Sequence, residues 1–477
     1  MPAPPRQSSW FSAVAPGVLV AATGVGAGDL LTAAMAGSEV GLAVLWAAVV
    51  GAVLKWALNE GIGRWQMATG TTLLEGWVDH FGRWIQWVFL GYLLLWSFVV
   101  AGALVTACGV AGTGLLPIGG VNTSKIVWGI IHSLVGLVLV LAGGFKVFER
   151  VMSLCIGVMF ATVTLTAVLV APDAWSDIAR GLFVPSIPPD GFGWVMGILG
   201  GVGGTVTLLS YGYWIREKHR SGVAGLRACR LDLTIGYGMT ALFGVAMVII
   251  GSRIELSDGG ATVAIQLADQ LSGAIGPAGR WVFLVGFWGA VFSSLLGVWQ
   301  SVPYLFADYM TLRSGVPVET RNTIDLAKTP AYRGYLVAMA VLPLVLLGQS
   351  VRQVQLVYAV FGALFMPLLA LTLLMMNNNR TWIQRPFRNG PVVNTLLVLT
   401  MLFFAYVAGT KAVERLFIDN EKRTVHVERS RLDPGGLLTP RSRYVGTLGR
   451  DGEAGRRGAV PPRSQPDDLR DLLHSAR

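Results

Sequence analysis

Long apolar runs occupy the chain up to residue 413 and alternate with short polar connections. A helix needs about 20 apolar residues to cross the hydrocarbon core of a bilayer. An open strand in lipid would leave backbone groups unsatisfied, and the runs lack the ten-residue alternation of a β-barrel, so helices are predicted. The pattern predicts eleven membrane-spanning helices, over residues 14–37, 41–63, 84–110, 125–144, 148–171, 192–214, 231–251, 279–301, 332–349, 353–376 and 391–411.

The first and the sixth of these spans carry dense glycine clusters. Residues 23–29 read Thr-Gly-Val-Gly-Ala-Gly-Asp, and residues 200–207 read Gly-Gly-Val-Gly-Gly-Thr-Val-Thr. Each Gly costs about 1 kcal/mol relative to Ala inside a helix, so both spans are predicted to break there. Close packing of helices through small residues is the alternative explanation. Because these spans begin two consecutive sets of five, the pattern favours a transporter whose broken helices form a site at the midplane.

Asp29 directly follows the first glycine cluster, midway along the first span. An ionised carboxylate in hydrocarbon is costly, so such a residue is expected to face a cavity or a partner. The same residue type also caps the start of a helix, here the second half of the broken span. The two roles are compatible, since a capping carboxylate at the midplane can also meet a cation.

Composition and charge fit a membrane protein and exclude an ordinary soluble multidomain enzyme. Charged residues make up 13% of the chain, whereas soluble proteins carry about 25%. With the N-terminus inside, the inward loops hold 17 Lys and Arg and the outward loops hold 5. This asymmetry follows the positive-inside rule. The net charge of +10 is therefore interpreted as topology rather than as a nucleic-acid surface.

The remaining segments and motifs complete the predicted organisation. Residues 1–13 form a cytoplasmic N-terminal segment, and residues 413–477 are a mostly disordered charged tail that the odd number of spans places outside. Three separated cysteines indicate neither a disulfide framework nor a zinc motif. No P-loop, catalytic carboxylate pair or nucleophile–base motif is found in the sequence, so we expect neither enzymatic activity nor a cofactor.

The first, second and sixth spans resemble the Nramp (natural resistance-associated macrophage protein) family. The likeness lies in Ala15 to Val20, in the broken segment through Asp29, in Ala68-Thr69-Gly70 and in Val202 to Val206. It implies the 5+5 inverted-repeat fold of the LeuT-like (APC) superfamily, with repeats over 14–171 and 192–376 and an eleventh span. It also implies transport of divalent transition metals, commonly coupled to protons, by a protein of a bacterial-type plasma membrane.

The chain departs from both signatures of that family. Where the family has Asp-Pro-Gly-Asn, this chain has Gly26 to Asp29, and where the family has Met-Pro-His, it has Thr207 to Leu209. Loss of the soft Met ligand leaves an all-oxygen set, which suits a hard cation such as Mg²⁺ or Mn²⁺. The predicted binding residues are Asp29, Gly26, Gly204, Thr207 and Ser210, and the predicted lining residues are Thr23, Ala27, Thr205 and Tyr211.

The family's proton route is not matched. Residues 84–110 carry no Asp, Glu or His, and residues 334–349 carry no charge. Glu60 and Arg64 stand four residues apart and are predicted to pair on one helix face. Lys55 lies deeper in the same span, and we expect it to balance Asp29 electrostatically when no substrate is bound.

Three functions follow from the sequence, in order of preference. The first is a transporter that moves a divalent metal cation by alternating access between broken spans one and six. The second is a carrier of a small organic or amine-bearing solute on the same fold, because fold does not fix function. The third is a transport-inactive membrane sensor or scaffold. The expected partners are the metal ion and the lipid bilayer, without nucleic acid.

Overall fold

The fold is helical throughout the part of the chain that the computed structural model describes. That part comprises residues 16–20, 23–171, 173–201, 204–253, 263–316, 318–321, 323–349, 351–407 and 409. These residues form α-helices and short 3₁₀ turns and contain no strand, which confirms the predicted all-α class. The predicted N-terminal segment 1–13 and the predicted tail 413–477 lie outside the described residues.

The first half of the chain begins with an interrupted helix. Residues 16–20 and 23–24 are helical, and regular helix resumes only at Ala27. The longest helix of this half contains two predicted spans, separated by Gly144, whose backbone is not helical (φ 60°, ψ −177°). The helices are α1 (Ala27–Val40), α2 (Leu45–Thr69), α3 (Leu73–Phe81), α4 (Trp84–Leu115), α5 (Val121–Val170) and α6 (Trp175–Phe183).

The second half begins with another interrupted helix, as the glycine clusters predicted. Its first part ends at Gly201, and a 3₁₀ turn over Val206–Leu209 leads into the second part. The helices are α7 (Phe192–Gly201), α8 (Ser210–Glu217), α9 (Gly222–Gly251), α10 (Val263–Ile275), α11 (Pro277–Arg313), α12 (Val318–Arg321), α13 (Pro330–Val341), α14 (Val351–Asn378) and α15 (Pro391–Val407).

Six helical stretches of the described residues are long and apolar enough to cross a membrane. One of them, α5, covers two of the predicted crossings, and the interrupted helices are too short to count alone. The chain is therefore an integral membrane protein, and its eleven crossings stay a prediction. The six stretches are Thr32–Thr69, Trp84–Leu115, Val121–Val170, Gly222–Gly251, Pro277–Arg313 and Pro330–Gly348.

Helix α11 lies at the centre of the bundle. In the most apolar 18-residue stretch of α11, 78% of the residues are buried. In the corresponding stretch of α5, 28% are buried. Small residues let its neighbours come close: a Cβ on Gly286 would overlap Thr162 of α5, and a Cβ on Gly297 would overlap Thr23 beside the first break. The central helix is thus in direct contact with the interrupted first helix.

The interrupted first helix also packs closely against α9. A Cβ on Gly236 would overlap the backbone carbonyl of Gly17, and a Cβ on Gly17 would overlap the carbonyl of Asp232. Glycine at the contact lets backbones approach this closely, which is a common device of helix packing in membranes. The glycines therefore fix where the first helix sits before it breaks.

This contact predicts different effects for two neighbouring glycines of α9. We expect Gly236→Ala to lower the melting temperature of the purified protein, because overpacking of this kind costs about 1–3 kcal/mol. Gly238→Ala is the matched control, since open space surrounds the position of its Cβ. Both changes gain the same helix propensity, so a Gly236→Ala variant as stable as Gly238→Ala would contradict the packing.

Candidate substrate site between the two broken helices

The first break exposes backbone carbonyls inside the bundle. Val25 and Gly26 are not helical, and α1 starts when the amide of Leu30 donates to the Gly26 carbonyl over 3.1 Å. The Val25 carbonyl accepts a hydrogen bond of 2.7 Å from the hydroxyl of Ser294 on the central helix. Asp29 belongs by its backbone to the first turn of α1, while the side chains of Ala27 and Asp29 lie outside the described part.

The second break is built on a glycine in the left-handed region. Gly204 has φ +89°, a conformation that side-chain-bearing residues rarely adopt. After it, the amide of Leu208 donates to the carbonyl of Thr205 over 3.0 Å, in a 3₁₀ pattern. The Thr207 hydroxyl accepts from the Thr205 amide at 3.4 Å. The helix therefore cannot run straight from α7 into α8.

The two breaks touch each other. A Cβ added to Gly204 would lie 3.3 Å from the Cα of Gly24 and 2.9 Å from the Thr207 hydroxyl. Beside this contact lies a cavity of about 350 Å³, counted with its open side. Residues from both breaks and from α4, α11 and α14 line it: Thr23, Gly24, Gly26, Val100, Ala103, Leu104, Thr207, Ser294, Val298, Gln355 and Tyr358.

Three of the predicted site residues, Thr23, Gly26 and Thr207, line this cavity. Thr205 and Ser210 are buried nearby, and neither hydroxyl has a hydrogen-bond partner among the described residues. Buried hydroxyls without a partner are uncommon, because leaving one unpaired costs about 1–3 kcal/mol. At the second break, the hydroxyl oxygens of Thr205 and Ser210 thus have no hydrogen-bond partner among the described residues.

Tyr211 occupies a different place from the predicted one. Its ring is fully buried, and its hydroxyl donates to the Asp232 carboxylate over 2.7 Å, so it is absent from the cavity lining. Asp232 also pairs with Arg220. Tyr211 therefore packs α8 against α9, and the interpretation of Tyr211 as an aromatic wall of the cavity is not supported by this arrangement.

Lys55 reaches the second break from α2. Its side chain is fully buried, and its Nζ donates to the Gly200 carbonyl over 2.9 Å and to the Gly204 carbonyl over 2.7 Å. The carbonyl of Gly204, a predicted ligand, therefore accepts from an ammonium group. Lys55 thus contacts the second break through backbone oxygens, and its electrostatic balance with Asp29 stays a prediction.

Ser294 and Tyr358 contribute to the lining without having been predicted to do so, and Gln355 lines it as well. Ser294 bonds the first break, and the Gln355 amide donates to the Ala103 carbonyl over 3.1 Å, which joins α14 to α4. The one signal in the sequence is the polar pair Ser293-Ser294 within an otherwise apolar span. That pair does not say which hydroxyl faces the break.

Two polar features of the spans are structural, and the first of them, the pairing of Glu60 with Arg64, was predicted. Glu60 and Arg64 form a buried ion pair of 2.5 Å. Both ring nitrogens of His132 are engaged, one with the Trp128 carbonyl at 2.7 Å and the other with the Trp288 indole at 2.9 Å. No group of three His, Cys, Asp or Glu side chains comes together in the described residues.

Besides the bond of Tyr211 to α9, polar side chains tie α8, the second half of the broken sixth helix, to three more helices, α3, α5 and α11. Three bonds lead to α11: Tyr213 to Asp308 at 2.7 Å, Trp214 to Gln300 at 2.7 Å, and Tyr304 to Glu217 at 3.1 Å. Arg216 pairs with Glu75 of α3 at 3.1 Å. Lys218, just beyond the helix, pairs with Glu149 of α5 at 2.8 Å. These ties lie on the side that the positive-inside pattern predicts as cytoplasmic.

Glu75 joins this set through the turn between α2 and α3. Thr72 caps α3, and Glu75 completes a capping box by accepting from the Thr72 amide at 2.5 Å. Burial, and then the nearby Asp308 carboxylate, raise the pKa of Glu75 above its usual value, while Arg216 opposes the shift. The ion pair with Arg216 therefore offsets part of the cost of keeping this carboxylate charged.

Comparison with known proteins gives a family and a fold. Residues 17–413 match the family model described as natural resistance-associated macrophage protein-like, which covers most of the chain. An uncharacterized protein of Pasteurella multocida (strain Pm70) is 21% identical over 259 residues, covering 52% of this chain and 58% of that protein. The chain thus spans less than two thirds of the length of that relative.

The manganese transporter of Eremococcus coleocola has a similar structure. A crystal structure of one of its mutants covers 85% of this chain and 87% of its own, with 18% identity and a TM-score of 0.65. Its complex with an aromatic bis-isothiourea substituted compound covers 85% and 88%, with 17% identity and a TM-score of 0.67. Because both identities are below 25%, the structural similarity shows that this chain shares the fold of that transporter.

Because Ser294 bonds the first break, removing its hydroxyl should destabilise the protein more than removing the hydroxyl of its neighbour Ser293. We expect Ser294→Ala to lower the melting temperature by the equivalent of about 1–3 kcal/mol, because a buried carbonyl of the unwound segment loses its donor. Ser293→Ala is the control, since the Ser293 hydroxyl bonds the Ala290 carbonyl of its own helix. Equal effects of the two substitutions would show that the Val25 bond contributes nothing particular.

Proposed function

The chain belongs to the Nramp family, and from this premise we propose that it carries a divalent metal cation across the membrane between its two broken helices. The observation that carries the proposal is the contact of the two breaks at Gly24 and Gly204, with a cavity beside it. Broken helices at a membrane midplane present carbonyl oxygens and helix ends, which are suitable ligands for an ion.

The proposed ligands are all oxygen atoms. Asp29 supplies the negative charge from the first turn of α1, three residues after Gly26. The Gly26 carbonyl accepts from the Leu30 amide, and a carbonyl oxygen has two lone pairs. The Thr207 hydroxyl lines the cavity, and Ser210 adds a buried hydroxyl close by. Such a set suits Mg²⁺ or Mn²⁺ better than a soft transition metal.

The size of the cavity supports an ion over a larger solute. The enclosed part of this cavity is about 10 Å³, room for about one water-sized particle, whereas pockets for organic ligands enclose roughly 300–1,000 Å³. Its walls also include the small residues Gly24, Gly26 and Ala103. An amine-bearing solute is the second candidate, which the same Asp29 charge would attract, and the binding experiment below separates the two.

Alternating access would move α8 against the rest of the bundle. This helix has eight residues and is held at its far end by the side-chain bonds to Glu75, Asp308 and Glu149. Breaking those bonds would open the site on the predicted cytoplasmic side. They therefore act, in this proposal, as the closed gate of one transport state.

The metal proposal predicts that Asp29 decides binding. We expect purified wild-type protein to bind Mn²⁺ or Mg²⁺ in isothermal titration and to admit it into liposomes. Asp29→Asn should lower the affinity by about tenfold or more, because that factor corresponds to about 1.4 kcal/mol of charge interaction. Uptake with and without an imposed pH gradient would show whether protons are coupled.

Asp177→Asn is the matched control for charge, since Asp177 is an exposed residue of α6. It should bind and transport as the wild type does. Unchanged metal binding in Asp29→Asn would remove Asp29 from the site. Binding of an alkylammonium compound in place of any divalent ion would favour the second candidate.

If the bonds at the far end of α8 hold the gate closed, neutralising Glu75 should expose the thiol of Cys229, which is buried behind α8. Glu75→Gln keeps the capping box, which accepts Glu or Gln, but removes the charge that pairs with Arg216. If the closed state loses about 1–2 kcal/mol of stability, the population of the open state should rise about 5- to 30-fold. We therefore expect faster maleimide labelling of Cys229, measured by mass spectrometry of its peptide.

Asp269→Asn is the control for this experiment. Asp269 pairs with Arg280 at 2.7 Å between α10 and α11, at a partly exposed place. Its neutralisation should leave the labelling rate of Cys229 unchanged. If Glu75→Gln labels no faster than Asp269→Asn, the bonds at the end of α8 do not hold the gate.

A further inference from the structure

The ammonium group of Lys55 lies where a bound cation would lie at the second break. Its Nζ donates to the Gly200 carbonyl over 2.9 Å and to the Gly204 carbonyl over 2.7 Å. The ring of Phe404 stands 5.9 Å from the same atom. A positive charge is thus enclosed by backbone oxygens and an aromatic face, in a position without exposure to solvent.

The break itself makes these carbonyls available. In a continuous helix the Gly204 carbonyl would accept from the Leu208 amide, but that amide donates to Thr205. Gly200 lies in the last turn of α7, where carbonyls have no partner further along the helix. The carboxyl end of a helix also carries a partial negative charge, which favours a cation.

Close packing of α2 on α7 brings Lys55 to this place. A Cβ on Gly51 would lie 3.1 Å from the Leu199 carbonyl, so the two helices nearly touch there. Residues four apart share one helix face, and Lys55 follows Gly51 by four. The lysine stem therefore extends from the point of contact to the break.

We propose that Lys55 is a tethered cation, which fills a monovalent-cation site at the second break and frees the carrier from dependence on Na⁺ or K⁺. Carbonyl oxygens of unwound backbone are the usual ligands of these ions in membrane proteins. A free ion would stabilise the break only when present in solution, whereas the lysine is always there. The transport consequence of this site rests on the proposed function.

The test removes the amine and supplies the ion. Lys55→Ala and Lys55→Thr are purified in Na⁺, in K⁺ and in N-methylglucamine, and their melting temperatures are measured in each salt. We expect Na⁺ or K⁺ to raise the melting temperature of these variants and to leave the wild type unchanged. Divalent-metal uptake by the variants should rise about 5-fold or more in the same ion.

Lys125→Ala is the matched control. Lys125 is also a buried lysine of a spanning helix whose Nζ donates to a carbonyl, that of Gln349 at 3.3 Å, but it lies away from the break. Its variant should show no response to Na⁺ or K⁺. A response equal to that of Lys55→Ala would indicate a general salt effect and overturn the proposal.

Two further outcomes overturn it. One is variants of Lys55 that melt and transport alike in all three salts. The other is variants that fail to fold in every salt, because a free ion then does not replace the ammonium. Wild-type protein that moves no divalent metal would contradict the proposed function, while the melting temperatures would still decide the role of Lys55.

Discussion

Backbone groups released by two helix breaks inside a membrane have to find partners without water, and the rest of this structure depends on that constraint. Among the described residues, Lys55 and Ser294 help to meet it, the first at the carbonyls of Gly200 and Gly204 and the second at Val25. Both come from other helices, α2 and α11. Irregular backbone at membrane depth is tolerated only where protein surrounds it. Each break is therefore stable only in the complete bundle.

Glycine makes that arrangement sterically possible. Gly204 adopts the left-handed conformation that turns the chain, and Gly297 leaves room for Thr23 against the central helix. Elsewhere, Gly17 and Gly236 bring the first helix onto α9. The same residue type that weakens a helix locally thus allows helices to pack closely against each other. This explains why a chain rich in Gly forms a dense interior.

The sequence predicted the breaks because glycine acts locally, through the backbone of its own helix. It could not supply the partner of Lys55, which lies 145 residues further along and is a backbone atom without a residue-type signal. Ser294 was missed because a serine in an apolar helix often bonds its own backbone, as Ser293 does. Tyr211 was placed in the cavity on spacing alone, one turn after Thr207, whereas the Asp232 carboxylate holds its hydroxyl elsewhere.

The distance along the chain between Lys55 and its acceptors also bears on how the protein is made. A lysine at the centre of a spanning helix costs roughly 2.5–3.5 kcal/mol on insertion, and chains emerge from the ribosome N-terminus first. The second span must therefore enter the bilayer before the Gly200 and Gly204 carbonyls have been synthesised. The bonds of Lys55 to these two carbonyls can therefore form only after the sixth span has been made.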